Sequence, residues 1–454
     1  MRNNLWLFCL GLLSIASLQA QQSPTDSIYS FTIDEAIEFA LENSYQSINA
    51  RRDVAKAIKR KWETTADGLP QISGVVDYQN QLKQPVTPLP GELVGGEPGT
   101  FVPVVFGVKQ QASATATLNQ LIFDGSYLVG LEAAKSFLQF NNDSEEKVQL
   151  EVRKGVINAY GSVLVAQESV KILENNVAAL EKNYQETKKI FENGLAEEED
   201  VEQLQITLLQ IQNQLSNAKR MEKIALQMFN LAIGVDVDSN TKLTDDLDSL
   251  TLKNMDQSVT TTPFIMENNV DYRLAYLLTE QRRLELKLEK SRALPKLSAF
   301  INYGTAAFDN DFVFLDSETP WFQSSILGAS LEIPIFSSLR RSAKTQQAKI
   351  AFEQSNTEFI QAQQEIQLQY NSAISDYKLS IENYDTSKQN LGLAERIENK
   401  NQIKYSEGLA TSFDLRQAQL QLYNTQQEVL QAMLDIINKK AELETILNTP
   451  KNNK

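Results

Sequence analysis

The side chains that most often perform enzymatic chemistry are almost absent from this chain. Its 454 residues include no histidine, and its one cysteine, Cys9, lies in an apolar segment near the start. Imidazole is the commonest general base and a frequent metal ligand, and thiolates serve as nucleophiles and zinc ligands. Carboxylates remain, so composition alone does not forbid an enzyme. The sequence nevertheless predicts no catalytic site, no metal site and no cofactor.

The carboxylates with the most suggestive spacing follow two Gly-Leu pairs. Glu197 and Asp200 come after Gly194–Leu195, and Asp414 comes after Gly408–Leu409. Two interpretations are compatible. Carboxylates in the first turn of a helix are favoured by the helix dipole, by about 0.3–1 kcal/mol. If several copies surround one axis, the same carboxylates would also form an acidic ring that gates a tunnel mouth and favours cations.

An internal duplication makes the two Gly-Leu pairs equivalent. Residues 42–72 align with 267–297 at an offset of 225, and residues 190–215 align with 404–429 at an offset of 214. Each half has the order helix, strand, loop, strand, long helix, Gly-Leu turn, helix. Repeated units of this kind build symmetric tubes and arrays more often than active sites.

Four segments have the alternation of β-strands, with apolar residues on one face and Gln, Ser, Thr or Asn on the other. Strands of about ten such residues are typical of outer-membrane barrels, the smallest of which need about eight strands. Four strands are too few for one chain to close a barrel, and free strand edges are not tolerated in lipid. A dimer or a trimer would supply enough strands for a closed barrel. Two ordinary hairpins packed on helices would also explain the alternation. The expected strands are 69–82, 108–123, 295–305 and 322–336.

Two segments of 68 residues, 126–193 and 340–407, contain no proline and are predicted to be helices. At 1.5 Å per residue each is roughly 100 Å long, which is too long for a globular core. The first has an apolar seam from Val148 to Tyr184 with steps of three and four, the spacing of a coiled coil. We expect the shorter helices to stack end to end alongside them: 31–66, 197–234, 267–293 and 411–448.

The remaining segments complete the expected organisation. Residues 1–20 are typical of a secretory signal peptide, and removing Arg2 with them changes the formal charge from −15 to −16. A net negative charge of this size argues against a nucleic-acid partner. We expect a signal peptide, a first repeat, a polar linker, a second repeat and a polar tail, with the bounds 1–20, 21–234, 235–262, 263–448 and 449–454.

Several motifs resemble the outer membrane efflux protein family, the TolC-like exit ducts, from about residue 31 to 447. The most specific is 405–415 (YSEGLATSFDL), with 191–200 as its partner in the first half. Leu-Pro pairs at 69–70 and 294–295 stand at helix-to-strand turns. The segments 119–125 (NQLIFDG) and 333–337 (IPIFS) stand at strand-to-helix turns. Asp124 and Gly125 keep the family pattern there, whereas Ser337 replaces the aspartate and serves equally well as a helix cap.

The resemblance implies an α+β membrane protein. Each chain would contribute four transmembrane β-strands and very long coiled-coil helices to a homotrimer, with a 12-stranded β-barrel in the outer membrane continued by an α-helical periplasmic tunnel. Gly194, Leu195, Gly408 and Leu409 would form the tips that contact a periplasmic membrane-fusion adaptor, and through it an inner-membrane transporter. Glycine is, however, also the favoured residue just past any helix end.

The expected function is a passive exit duct of a tripartite efflux pump or of a type I secretion system, for small molecules or secreted polypeptides. The alternative is a structural periplasmic coiled-coil or adhesin stalk without a pore. Arg340 and Arg341, at the start of the second long helix, either lie at the membrane–water boundary or are simply solvated. The sequence does not identify the cargo, the adaptor or the pump.

Overall fold

A computed structural model describes residues 29–256, 258–261 and 263–448 of the chain. The expected signal peptide and polar tail lie outside these residues. The strands are β1 (Tyr29–Phe31), β2 (Gln71–Asn80), β3 (Val86–Pro90), β4 (Phe101–Val105), β5 (Gln110–Asp124), β6 (Thr241–Leu243), β7 (Lys296–Asp309) and β8 (Phe322–Glu332). The α-helices are α1 (Ile33–Asn43), α2 (Tyr45–Ala66), α3 (Gly125–Glu192), α4 (Glu198–Ile233), α5 (Leu247–Asn254), α6 (Ser258–Thr261), α7 (Val270–Ser291), α8 (Arg340–Ser406) and α9 (Ser412–Leu447). The described residues contain no helix with both the length and the apolar character needed to cross a membrane.

The chain divides into two compact units, and each draws on both halves of the duplication. Within the described residues, the sheet unit consists of residues 49–147 and 265–369, and the helical unit of residues 29–48, 148–264 and 370–448. The long helices α3 and α8 contribute to both units.

The sheet unit contains an open antiparallel sheet with the strand order β2-β5-β7-β8. The central pair joins the two halves of the chain, because β5 belongs to the first and β7 to the second. The faces follow the alternation of the sequence. Tyr78, Ala112 and Ala307 share the apolar face, and their neighbours Gln79 and Gln111 lie on the polar face.

The helical unit has its core along the coiled-coil seam predicted for α3. Val156 and Val163 are completely buried there, and Leu180 continues the seam toward the end of the helix. Buried residues of α4, α8 and α9 complete the core. Because the seam is buried by several helices at once, it fixes their relative rotation within this unit.

Three segments are more regular, or more broken, than the sequence suggests. The expected helix 31–66 is interrupted at Ser44, which has extended backbone angles and caps the next turn through its hydroxyl. The polar segment 235–262 includes β6, which pairs in parallel with β1, and the short helices α5 and α6. Leu247 and Leu250 anchor α5 in the core. Residues 83–107, which join the first two expected strands, contain the β3–β4 hairpin.

Candidate functional site

The two Gly-Leu turns have the same backbone geometry. Gly194 and Gly408 adopt positive φ angles of 74° and 73°. At the first turn, Leu195 N donates to the carbonyl of Ile190 at 3.0 Å, and at the second, Leu409 N donates to the carbonyl of Lys404 at 2.7 Å. With the shorter-range bonds from each glycine N–H, this is the Schellman arrangement that ends a helix.

A third turn of the same type provides an internal comparison. Gly234 also has a positive φ, and Val235 N donates to the carbonyl of Asn230 at 3.0 Å. Val235 packs into the core and is 9% exposed, whereas the equivalent residues Leu195 and Leu409 are 80% and 73% exposed. The cap therefore does not itself require a solvent-exposed leucine. The apolar side chains at the two Gly-Leu turns are available to a partner.

The three carboxylates lie at the starts of the returning helices. The Asp414 carboxylate accepts hydrogen bonds from the Thr411 hydroxyl at 2.7 Å and the Thr411 N–H at 3.1 Å. These bonds stabilise the ionised form and lower the pKa of Asp414. At the other turn, the Glu197 N–H is 3.4 Å from the Asp200 carboxylate, and Glu197 itself is exposed.

Two polar links join α3 to α8 just before the turns. The hydroxyls of Thr187 and Tyr405 are 3.0 Å apart, and the side-chain amides of Asn183 and Gln402 exchange hydrogen bonds of 3.0 and 3.3 Å. Burial raises the pKa of Tyr405, and the negative charge of Asp200 adds to the effect. The two turns are thus neighbours at one end of the helical unit.

Sequence reasoning did not single out these four linking residues. Tyr405 is the first residue of the most specific motif, but nothing in its spacing shows that a threonine more than 200 positions earlier lies opposite it. Thr187, with 1% exposure, occurs in a polar stretch that gives no periodic signal. A pairwise side-chain contact of this kind depends on helix rotation.

The strand-to-helix turns belong to the sheet unit. The Asp124 carboxylate accepts from Ser126 N at 2.8 Å and lies 3.6 Å from the Lys296 ammonium. A Cβ on Gly125 would stand 2.6 Å from a Leu294 methyl carbon, which explains the glycine. At the second turn the Ser337 carbonyl accepts from Arg340 N at 2.9 Å.

The second strand-to-helix turn differs from the first in shape and in exposure. Its residues Ser338 and Leu339 have positive φ angles of 48° and 62°, and the Arg341 guanidinium donates to the Pro334 carbonyl at 2.6 Å. Ile335 and Phe336 are 88% and 82% exposed. Arg341, the second residue of α8, thus holds the segment that follows β8. The apolar side chains of Ile335 and Phe336 in that segment have no cover within the described chain.

Among the described residues, no group of three or more Asp, Glu, His or Cys side chains is placed to hold a metal ion. What the turns offer instead is a surface, with two exposed leucines next to three carboxylates.

A sheet with one apolar and one polar face, combined with helices of 68 and 67 residues, defines the class of long-helix outer-membrane channels. The family model described as "Outer membrane efflux protein" matches residues 37–235 and 265–449. The chain therefore belongs to the outer membrane efflux protein family, whose members are transport ducts rather than enzymes. It is an outer-membrane efflux channel component with a periplasmic helical portion.

Known proteins agree with this assignment. The chain is 23% identical over 356 residues to outer membrane protein TolC of Vibrio cholerae serotype O1 (strain ATCC 39315 / El Tor Inaba N16961), a match that covers 74% of this chain and 76% of that protein. Its fold is similar to that of VceC from Vibrio cholerae, with a TM-score of 0.71, 15% identity and coverage of 91% and 95% of the two chains. The Campylobacter jejuni CmeC outer membrane channel gives a TM-score of 0.71, 15% identity and coverage of 91% and 85%.

Proposed function

We propose that three copies of this chain form one passive duct, in which a 12-stranded barrel continues into a helical tunnel. The duct serves a tripartite efflux pump, and its Gly-Leu turns contact a periplasmic adaptor that leads to an inner-membrane transporter. The observation that carries this proposal is the pairing of β5 with β7. One half of the duplication there pairs with the other half, and the outer strands β2 and β8 have free edges suited to repeating that pairing between copies.

The duplication supplies the register of the repeated pairing. Gln71 pairs with Asn119 and Lys296 with Glu332, so β2 corresponds to β7 at an offset of 225 (296 − 71), and β5 to β8 at 213 (332 − 119). The pair Thr117↔Asn302 of β5 and β7 then translates into Ser330 opposite Asp77 of the next copy.

The pairing of β2 with β5 shows which residues of β2 direct their backbone hydrogen-bonding groups toward the free edge. Gln81 and Lys109 continue the register Asn80↔Gln110 by one residue, and Gln81 N donates to the Lys109 carbonyl at 2.8 Å. Odd-numbered residues of β2 therefore direct their N–H and C=O groups toward β5, and even-numbered ones toward the free edge. Asp77 and Ser330 would form a non-hydrogen-bonded pair, with Cα atoms about 4.5 Å apart.

The exposed second strand-to-helix turn also fits a neighbouring copy. Phe123 pairs with Leu297 inside the chain and is 40% exposed. Phe336, which corresponds to Phe123 at the offset of 213, is 82% exposed and follows β8, the strand that would pair with β2 of the next copy. An interface between two different edges is heterologous and closes into a ring when the rotation allows it. Closure is needed because free strand edges are not tolerated in lipid.

At the other end of the duct, the exposed Leu195 and Leu409 would anchor the adaptor. Threefold repetition would bring Glu197, Asp200 and Asp414 around the mouth as an acidic ring. Cations would then be favoured over anions, and the Tyr405 link between the long helices would help to keep the mouth narrow.

A disulfide test of the strand register examines the assembly directly. The double variant D77C/S330C places two thiols at a distance suited to a disulfide, and the only native cysteine, Cys9, lies in the expected signal peptide. We expect a covalent ladder that ends at the trimer on non-reducing gels, and no ladder from either single variant. The matched control D77C/E332C is displaced by two residues, about 7 Å along the strand, and should cross-link poorly. A ladder that ends at the dimer, or equal cross-linking by the control, would overturn the proposed seam.

A further inference from the structure

The loop between β7 and β8, residues 310–321, folds back onto the sheet. Its Phe314 is 8% exposed and packs against Ala112 and Ala307. These two alanines are directly paired across β5 and β7, and their small side chains leave room for the ring. Burial of Phe314 fixes the middle of the loop against the sheet.

Three aromatic rings hold the loop in this position. Tyr78 contacts Phe312 with 5.5 Å between ring centroids, and Phe314 with 5.9 Å. The two phenylalanine rings are themselves 5.7 Å apart at an angle of 87°. Edge-to-face pairs of this kind stabilise a fold by more than the burial of their surface area alone. The start of the loop is tied by a hydrogen bond of 3.2 Å from the Gln110 side chain to the Asn310 carbonyl.

The side of the sheet on which the loop lies follows from strand alternation. Tyr78, Ala112 and Ala307 are on the apolar face, and Gln111 and Phe308 are on the polar one. The polar face lines the lumen of the proposed duct and the apolar face meets lipid. The loop therefore lies outside the channel and does not obstruct the lumen.

Residues of the loop carry more apolar surface than this packing uses. Phe312 is 58% exposed, Leu315 is 88% exposed and Trp321 is 38% exposed. Trp321 stands one residue before β8 and shares the parity of the apolar residues Leu327 and Leu331. The exposed side chains are thus continuous with the face of the sheet that meets the membrane.

We propose that the β7–β8 loop is a membrane collar, in which Phe312, Leu315 and Trp321 bind at the headgroup boundary of the outer leaflet. This inference rests on the proposed function, since lipid meets the apolar face only in the assembled barrel. Tryptophan is enriched at the boundary between membrane and water, where its amphipathic ring lies at the level of the headgroups. Aromatic girdles flank the apolar band of known barrels in the same way.

Fluorescence quenching by brominated lipid tests the collar. In a W62F variant of the processed protein, Trp321 is the remaining tryptophan, because Trp6 lies in the expected signal peptide. The protein is reconstituted into phosphatidylcholine vesicles that carry bromine either near the headgroup or near the chain end. We expect loss of Trp321 emission with the shallow bromines, less loss with the deep ones, and little effect of aqueous iodide. Emission that iodide quenches and neither bromine position affects would overturn the proposal.

Two further variants separate the collar from the assembly. Phe314→Ser in the W62F background should release the loop, so that lipid quenching decreases while iodide quenching increases. Phe308→Ser, which removes an aromatic ring from the polar face, should leave the quenching by brominated lipid and the quenching by iodide unchanged. The D77C/S330C ladder is measured in the same preparations. If covalent trimers form but Trp321 is in water, the collar alone is wrong; if trimers fail to form, the proposed function fails and the collar fails with it.

Discussion

The Tyr405 hydroxyl lies 3.0 Å from the Thr187 hydroxyl and joins the two long helices α8 and α3 beside the Gly-Leu turns. Thr187 is 1% exposed, so its hydroxyl has no access to water as an alternative partner. An unsatisfied buried hydroxyl costs about 1–3 kcal/mol. The link therefore favours the arrangement in which the two helices stay together at this end.

The substitution Tyr405→Phe is expected to loosen the tunnel mouth. It removes the hydroxyl while keeping the ring, so the closed arrangement loses its hydrogen bond and packing is preserved. Single-channel recording in planar bilayers should show more frequent opening, by up to about tenfold for a loss near 1.4 kcal/mol. The control Tyr384→Phe changes a buried tyrosine of the same helix farther from the turns and should behave like the parent. Identical opening of parent and Tyr405→Phe would show that the link does not hold the mouth.

Asp414→Asn should reduce the cation preference of the channel without disturbing the fold. Asparagine keeps an oxygen that accepts from Thr411 N–H, so the helix start is retained while the charge is lost. Reversal potentials under a salt gradient give the ratio of cation to anion permeability, and the effect should be larger at low salt because screening is weaker. Glu428→Gln, an exposed charge farther along α9, is the matched control. A permeability ratio unchanged by Asp414→Asn would remove the acidic ring from the account.

Leu195→Ser together with Leu409→Ser should weaken adaptor binding and efflux, and leave folding and conductance intact. Both side chains are largely exposed, and surface substitutions usually change the free energy of unfolding by less than about 0.5 kcal/mol. Val235→Ser alters the equivalent position of the buried turn and should instead lower stability by roughly 1–3 kcal/mol. Co-purification with the cognate adaptor and thermal unfolding give the two readouts. Normal adaptor capture by the double leucine variant would contradict the assignment of the tips.

Tyr377 should make the helical unit sensitive to alkaline pH. Its hydroxyl donates to the carbonyls of Asn254 at 2.6 Å and Asp256 at 3.1 Å, and burial, with the charge of Asp256, raises the pKa of Tyr377 from 10.0 to about 12. A raised folded-state pKa means that the protonated form stabilises the fold. The contribution is therefore complete below pH 10 and is lost as pH rises toward 12.

The measurement is the melting temperature as a function of pH for the parent and for Tyr377→Phe. The difference between the two proteins should be constant from neutral pH to about 10 and then shrink as the parent loses its advantage. Lysine titration affects both proteins alike and cancels in the difference. A difference that grows above pH 10 would give the opposite sign and refute the assignment.

The sequence predicts those parts of the fold that depend on local periodicity. Alternation locates the four strands of the sheet, and the seam through Val156, Val163 and Leu180 identifies a helix buried along one side. Positive φ at Gly194 and Gly408 follows from the residue type at a helix end. Each of these features is encoded by neighbours along the chain.

Features that depend on contacts between distant segments, or on one local hydrogen bond that breaks a regular pattern, were not predictable in the same way. The interruption at Ser44 is set by local hydroxyl bonding inside an otherwise helical pattern. The strand β6 forms only because β1, about 210 residues earlier, offers an edge. The position of Phe314 on the apolar face depends on two paired alanines of other strands, and the sequence of the loop gives no sign of that pairing.

Several copies are proposed to close around a hollow axis through the edges of β2 and β8. The most direct test of this closure is the conductance of covalently closed D77C/S330C trimers, purified under non-reducing conditions and added to planar bilayers. The closed trimers should give stable channels that persist when the disulfides form, and should have a mass three times that of one chain. A detergent-free, compact monomer, or cross-linked complexes that carry no current, would contradict it.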